Sequence, residues 1–99
     1  MERMDDLAAF CAARLDEDEG RAKGWAEPGG AHWPWLETRV LREVAAGRAI
    51  LAEYGRIAES ARRYPNAANA AALIAMQTAV RHLVAVYSDH PDYRQEWKP

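Results

Sequence analysis

Apolar residues recur at helical spacing along most of the chain, and the breaks between those runs mark out its elements. Met4, Leu7, Ala8, Cys11 and Leu15 fall three and four apart, which predicts an amphipathic helix over about residues 5–23, with Asp5 or Asp6 suited to cap it. Residues 24–35 hold Pro28, Gly29, Gly30 and Pro34, which break regular structure, and Trp25, Trp33 and Trp35 among them make this a loop rich in tryptophan. Val40, Val44, Gly47, Leu51, Tyr54, Ala58 and Ala61 then alternate spacings of four and three, predicting a second helix over about 36–63. Ile50 and Ile57 widen its stripe enough to face two partner helices. Gly47 and Gly55 interrupt it, each weakening a helix by roughly 1 kcal/mol relative to alanine, so they mark a close helix approach or a bend.

Tyr64-Pro65-Asn66 ends that helix, and Asn66 or Asn69 can cap a third over about 67–88. Fifteen of the twenty residues from Ala67 to Val86 are apolar. Gln77, Thr78, Arg81 and His82 make one narrow wet stripe, leaving Leu73, Met76, Val80, Leu83 and Tyr87 to face inward. This reads as the central helix of the fold. Pro91 fits the first turn of a short final helix, capped by Asp89 or His90 and ending near Trp97. The expected fold is all-α: one domain over residues 1–99, an antiparallel bundle of three long helices plus a short C-terminal helical turn, without β-sheet.

Composition narrows the function classes. At 99 residues with 49% hydrophobic and 28% charged positions, the chain belongs with globular proteins and not with disordered ones. Its net charge of −2 hides a split, with residues 1–24 near −3 and residues 37–63 at +2, where six arginines meet four glutamates. Those glutamates interrupt any continuous basic face, so nucleic-acid binding is not expected. The longest unbroken apolar run, Ala70 to Met76, falls well short of the roughly 20 residues of a membrane span, so no membrane role is expected. The N-terminal Met1-Glu2-Arg3-Met4-Asp5-Asp6 lacks the pattern of a secretory signal, and lone Cys11 has no internal disulfide partner, so a cytoplasmic location is expected. The second helix, at about 40 Å, would overhang a first helix of about 28 Å. With so apolar a third helix to cover, a homodimer is the expected assembly.

Chemical candidates are few. Cys11 shares the stripe of Leu7 and Leu15 and reads as a small core residue, not a nucleophile. The run Asp16-Glu17-Asp18-Glu19 puts Gly20 at the fifth position, where a calcium loop needs glycine at the sixth. Asp16 with Glu19 has the helical spacing of a magnesium-holding acidic pair, but Glu53 with Glu59, six apart, does not share a face. His82, Asp89, His90 and Asp92, even with His32, match no established metal-ligand spacing. No catalytic residue, metal or cofactor is assigned. What remains is aromatic: Trp25, Trp33 and Trp35 of the loop, and Tyr87, Tyr93 and Trp97 of the tail formed by residues 88–99. Were loop and tail to converge, they would form a surface for a ligand or partner, with His32, His90, Asp92 and Arg94 as its polar groups.

The tail Tyr87-Ser88-Asp89-His90-Pro91-Asp92-Tyr93-Arg94-Gln95-Glu96-Trp97-Lys98-Pro99 resembles the ending of a family of short proteins of no assigned activity from high-GC actinobacteria and their phages. Residues 13–19, 39–44 and 48–51 are similar to that family as well, and together these stretches cover about a third of the chain. Relatives with several mid-chain cysteines look like carriers of a zinc knuckle; with Cys11 alone, this chain does not take over that role. The resemblance implies no activity. The reading that follows is a non-enzymatic helical interaction module that self-associates and engages another protein through loop and tail. The alternative is a small enzyme or ligand-binding protein with a site between them, which would show a deep pocket joining His32, Asp92 and Arg94.

Overall fold

The structure, a computed structural model, describes residues 2–24 and 33–99. Three helices form its body: α1 (Glu2–Gly24), α2 (Pro34–Arg63) and α3 (Ala67–Val84). Two 3-10 turns follow, η1 (Ala85–Tyr87) and η2 (Gln95–Trp97), and no strand occurs among the described residues. The all-α expectation holds, with shifted boundaries. Pro34 belongs to α2, because the first turn of a helix has no use for the N–H that proline lacks. The third helix gives way to 3-10 geometry after Val84, short of residue 88, and the last helical turn starts at Gln95 instead of Pro91.

The connection from α2 to α3 is fixed by asparagine. Asn66 Oδ1 accepts the backbone N–H of Asn69 at 2.8 Å, which caps α3, while Asn69 Nδ2 donates to the Tyr64 carbonyl at 2.7 Å. So short a link folds α3 back along α2. On the other side α1 runs antiparallel to α2, in a register set where Leu15 packs on Gly47 and Arg48 donates to Asp16 Oδ1 at 2.7 Å and Glu19 Oε2 at 2.9 Å. The acidic end of α1, unfavourable by its own dipole, is thus answered from α2. Arg21 with Asp18 and Lys23 with Glu19, each at 3.7 Å, answer it from within α1. The arginine beside it holds the Glu19 carboxyl below the usual glutamate range, and Arg48 in turn is raised.

α1, and not α3, is the central helix. Leu7, Phe10, Cys11, Leu15 and Ala22 are buried along it, whereas α3 buries only Val80 and Val84. Leu73, Met76 and Leu83 reach the core from its edge, Gln77 and Arg81 are half-buried, and Ile74 is 63% exposed. The segment Ala67–Tyr87 is 21 residues long, an 18-residue stretch of it is only 11% buried, and by length and composition it is apolar enough to cross a membrane. Its longest unbroken run therefore does not exclude a span, because a span needs a predominantly apolar stretch and not an unbroken one.

The molecule is long, 55 × 24 × 17 Å, with a radius of gyration of 15.8 Å against roughly 13 Å for a compact domain of 100 residues. The two glycines of α2 differ in purpose. A Cβ on Gly47 would lie 2.9 Å from Leu15 Cδ2, whereas one on Gly55 would meet nothing within 4 Å. Gly55→Ala is expected to stabilise the protein by about 0.5–1 kcal/mol through helix propensity. Gly47→Ala is expected to destabilise it by about 1 kcal/mol, since overpacking of about 1–3 kcal/mol outweighs the same propensity gain. Thermal unfolding of the two variants should shift in opposite directions; a common direction would refute the close approach at Gly47.

Candidate functional site

One face of α1 carries Asp6, Phe10, Arg14 and Asp18, each four residues after the last, so they line up along the helix. The tail descends this line. Tyr87 donates its hydroxyl to Asp18 Oδ2 at 2.5 Å, Arg14 Nη1 lies 3.2 Å from His90 Nδ1, and Arg94 Nη1 donates to Asp6 Oδ2 at 2.9 Å. Between these polar contacts sits Phe10. Its ring is 5.1 Å from that of Trp97, 5.4 Å from His90, 6.1 Å from Tyr93 and 6.4 Å from Tyr87. Most of these meet edge to face, the geometry that ring quadrupoles favour. The Arg14 guanidinium lies 4.8 Å above Phe10, and that of Arg94 lies 5.3 Å above Trp97, adding cation–π attraction.

His90 has a defined tautomer. Its Nδ1 also lies 3.0 Å from the backbone N–H of Asp92, and neither that N–H nor the Arg14 guanidinium can accept a hydrogen bond. Nδ1 is therefore the acceptor, and the ring proton sits on Nε2. Burial, and then the Asp18 carboxylate, push the Tyr87 phenol well above the ordinary tyrosine range, so it stays a donor. Trp97 Nε1 is buried with no hydrogen-bond partner among the described residues, a cost of about 1–3 kcal/mol that the ring packing must outweigh.

Beside this strap is a cleft of about 280 Å³ lined by Arg14, Glu17, Asp18, Arg21, Tyr87, Asp89 and His90. Most of its charges face one another: Arg14 Nε lies 2.9 Å from Glu17 Oε1, Arg21 faces Asp18, and His90 Nδ1 is occupied, while Asp89 is exposed to solvent. The Cys11 thiol is buried, and burial pushes it up to about 11, which suits a core residue and not a nucleophile. Among the described residues no group of three or more His, Cys, Asp or Glu side chains is placed to hold a metal ion.

Across the Tyr87–Asp18 pair lies a larger, apolar groove of about 520 Å³. Leu15, Val40, Val44, Ile50, Leu83 and Val86 form its walls, with Ala46, Gly47 and Ala79 between them and Asp18, Glu43 and His82 at the rim.

The predicted aromatic surface is divided. His90, Tyr93, Arg94 and Trp97 come together on α1; Tyr93 and Trp97 are buried there, and Asp92 is exposed with its N–H on His90. Trp33 and Trp35 stand at the start of α2, 56% and 62% exposed, their rings edge to face at 6.5 Å. Pro34 lies 13 residues before Gly47, roughly 20 Å beyond the level of Leu15 toward the C-terminal end of α1, whereas Arg94 reaches Asp6 at the other end. These two tryptophans do not join the tail. Trp25 and His32 lie outside the described residues. The stripe on α1 and the apolar groove were not among the sequence expectations. The available signal was the four-residue spacing of Asp6, Phe10, Arg14 and Asp18, whose order mirrors Arg94, Tyr93, His90 and Tyr87.

The class so defined is a small three-helix bundle with a strapped aromatic tail and an open apolar groove. The chain belongs to the family of unknown function DUF6221, which matches it over residues 4–99. No curated protein and no solved structure matches the chain.

Proposed function

We propose that this protein is a non-enzymatic, cytosolic interaction module that self-associates through the apolar surface of α2 and α3. One observation carries the reading: the chain exposes more surface than a monomer of its size needs to. Its accessible area is 6741 Å² at 11.1 kDa, where a folded monomer is expected to expose roughly 5,700 Å². The excess, roughly 1,000 Å², is more than the roughly 800 Å² that each partner contributes to a stable pair. Ile74, at 63% exposure on the most apolar helix, and Val86, at 76% in the 3-10 turn that follows it, are left uncovered by two helices and a tail wrapped around α1.

The tail has another task. With Tyr93 and Trp97 packed on Phe10 and Arg94 paired with Asp6, it supports a structural role instead of a free docking motif. A packed aromatic cluster, and a cleft whose two arginines face its own acids, favour the module over an enzyme or ligand-binding protein. The single buried cysteine supports a reducing compartment, and the similar endings in actinobacterial and phage proteins suggest such a cell as its setting. Light scattering on the purified chain tests the proposal. A species of twice 11.1 kDa is expected, dissociating on dilution. A monomer at every attainable concentration, or partition into phosphatidylcholine vesicles in place of pairing, would overturn it.

A further inference from the structure

We infer that two copies of this chain pair about a two-fold axis, with Trp35 of each seated in the apolar groove of the other; this rests on the self-association reading. A two-fold interface must be self-complementary, so knob and hole have to sit on one surface of the same molecule. They do. Trp35 and the groove residue Ala46 are eleven positions apart on α2, three turns and roughly 16 Å, and point within roughly 20° of the same direction. Antiparallel pairing of this stretch with its copy brings each knob to the other's hole. It also covers Val86, the most exposed large apolar side chain among the described residues, which stands at the groove wall.

Polarity favours a side chain of a second copy over a small ligand. A ligand site offers convergent polar groups that fix orientation. Here Glu43 is held 3.1 Å from Arg39 and Asp18 is held by Tyr87, leaving an oily slot with an acidic rim. The knob is complementary to that rim, because Arg42, two turns from Trp35, is exposed and has no ion-pair partner among the described residues. Delivered with Trp35, it meets Glu43 and Asp18 of the other copy. A tryptophan entering an apolar slot beside an arginine is the composition from which interface hot spots are built.

The test uses two variants whose changes are exposed in the single chain and should leave it folded, as circular dichroism can verify. Trp35→Ala removes the knob and Val86→Asp spoils the hole. Sedimentation equilibrium should show each alone pairing at least about tenfold more weakly than wild type. Mixed in equal amounts, they should recover a heterodimer, since the mixed pair retains one intact knob in one intact hole. Trp35→Ala pairing as tightly as wild type, or a mixture that stays apart, would overturn this inference and leave self-association through another face standing. A wild-type chain that never pairs would instead remove the reading beneath it.

Discussion

Phe10→Ala is expected to lower the stability of the folded chain by about 3–5 kcal/mol, the range for truncating a large core aromatic. Stabilities of domains this size run from about 5 to 15 kcal/mol, so the loss is between a fifth and nearly all of it. The reason is position. Phe10 is 7% exposed and, among the described residues, is the only ring that touches Tyr87, His90, Tyr93 and Trp97 together. Two contributions can be separated by a second variant. Phe10→Leu keeps much of the apolar volume and loses the edge-to-face and cation–π contacts, each worth roughly 0.5–1.5 kcal/mol where they exist. A cost near 1–2 kcal/mol for leucine beside the larger cost for alanine would show that buried area outweighs ring geometry. Urea midpoints measure both. An alanine variant within about 1 kcal/mol of wild type would mean that the tail does not depend on this ring.

How legible was this arrangement? α2 and α3 could be read because their stripes repeat through many turns and the Tyr64-Pro65-Asn66 stop is unambiguous chemistry. Asn66 caps α3 as its residue type predicts. The rank of the helices in the core could not be read, because apolarity is not area. α3 is rich in alanine, which raises its apolar fraction while giving little surface to bury, so it can lie at the edge of the core with Ala71, Ala75 and Ala79 exposed. α1 has fewer apolar residues, but it is packed from more than one side, so Leu7, Phe10, Cys11 and Leu15 are all buried.

The tail stripe shows a second limit. Asp6, Arg14 and Asp18 look like solvated surface when α1 is read alone, since an apolar period does not register polar positions. Their meaning comes from the tail's own order, Tyr87, His90, Tyr93 and Arg94, which supplies a donor, an acceptor, a ring and a cation at successive turns. Hydrogen bonding and ring contact between segments 69 to 88 residues apart cannot be inferred from the spacing within either one. Trp33 and Trp35 stay apart from the tail for a related reason. Shared aromatic composition says that two segments must each find cover, not that they find it in each other.

Deleting residues 88–99 is the largest change expected to be measurable, because it strips every tail partner except Tyr87 from α1 at once. Trp97 at 4% exposure and Tyr93 at 9% would be gone, and Phe10 would face water. At about 3–5 kcal/mol for a buried tryptophan alone, the loss approaches the total stability of a small domain. The shortened chain should therefore melt broadly or be largely unfolded at room temperature. Cys11 gives an independent readout. In the intact protein its thiol is buried and raised to about 11, so at pH 8 it alkylates roughly two orders of magnitude more slowly than a free cysteine. After the deletion its rate should approach the free value, and Tyr87→Phe, which removes one hydroxyl from the same strap, should leave it slow. A shortened chain that melts like wild type with Cys11 still protected would mean that the docked tail contributes little to the fold and is available to a partner, reversing the role assigned to it here.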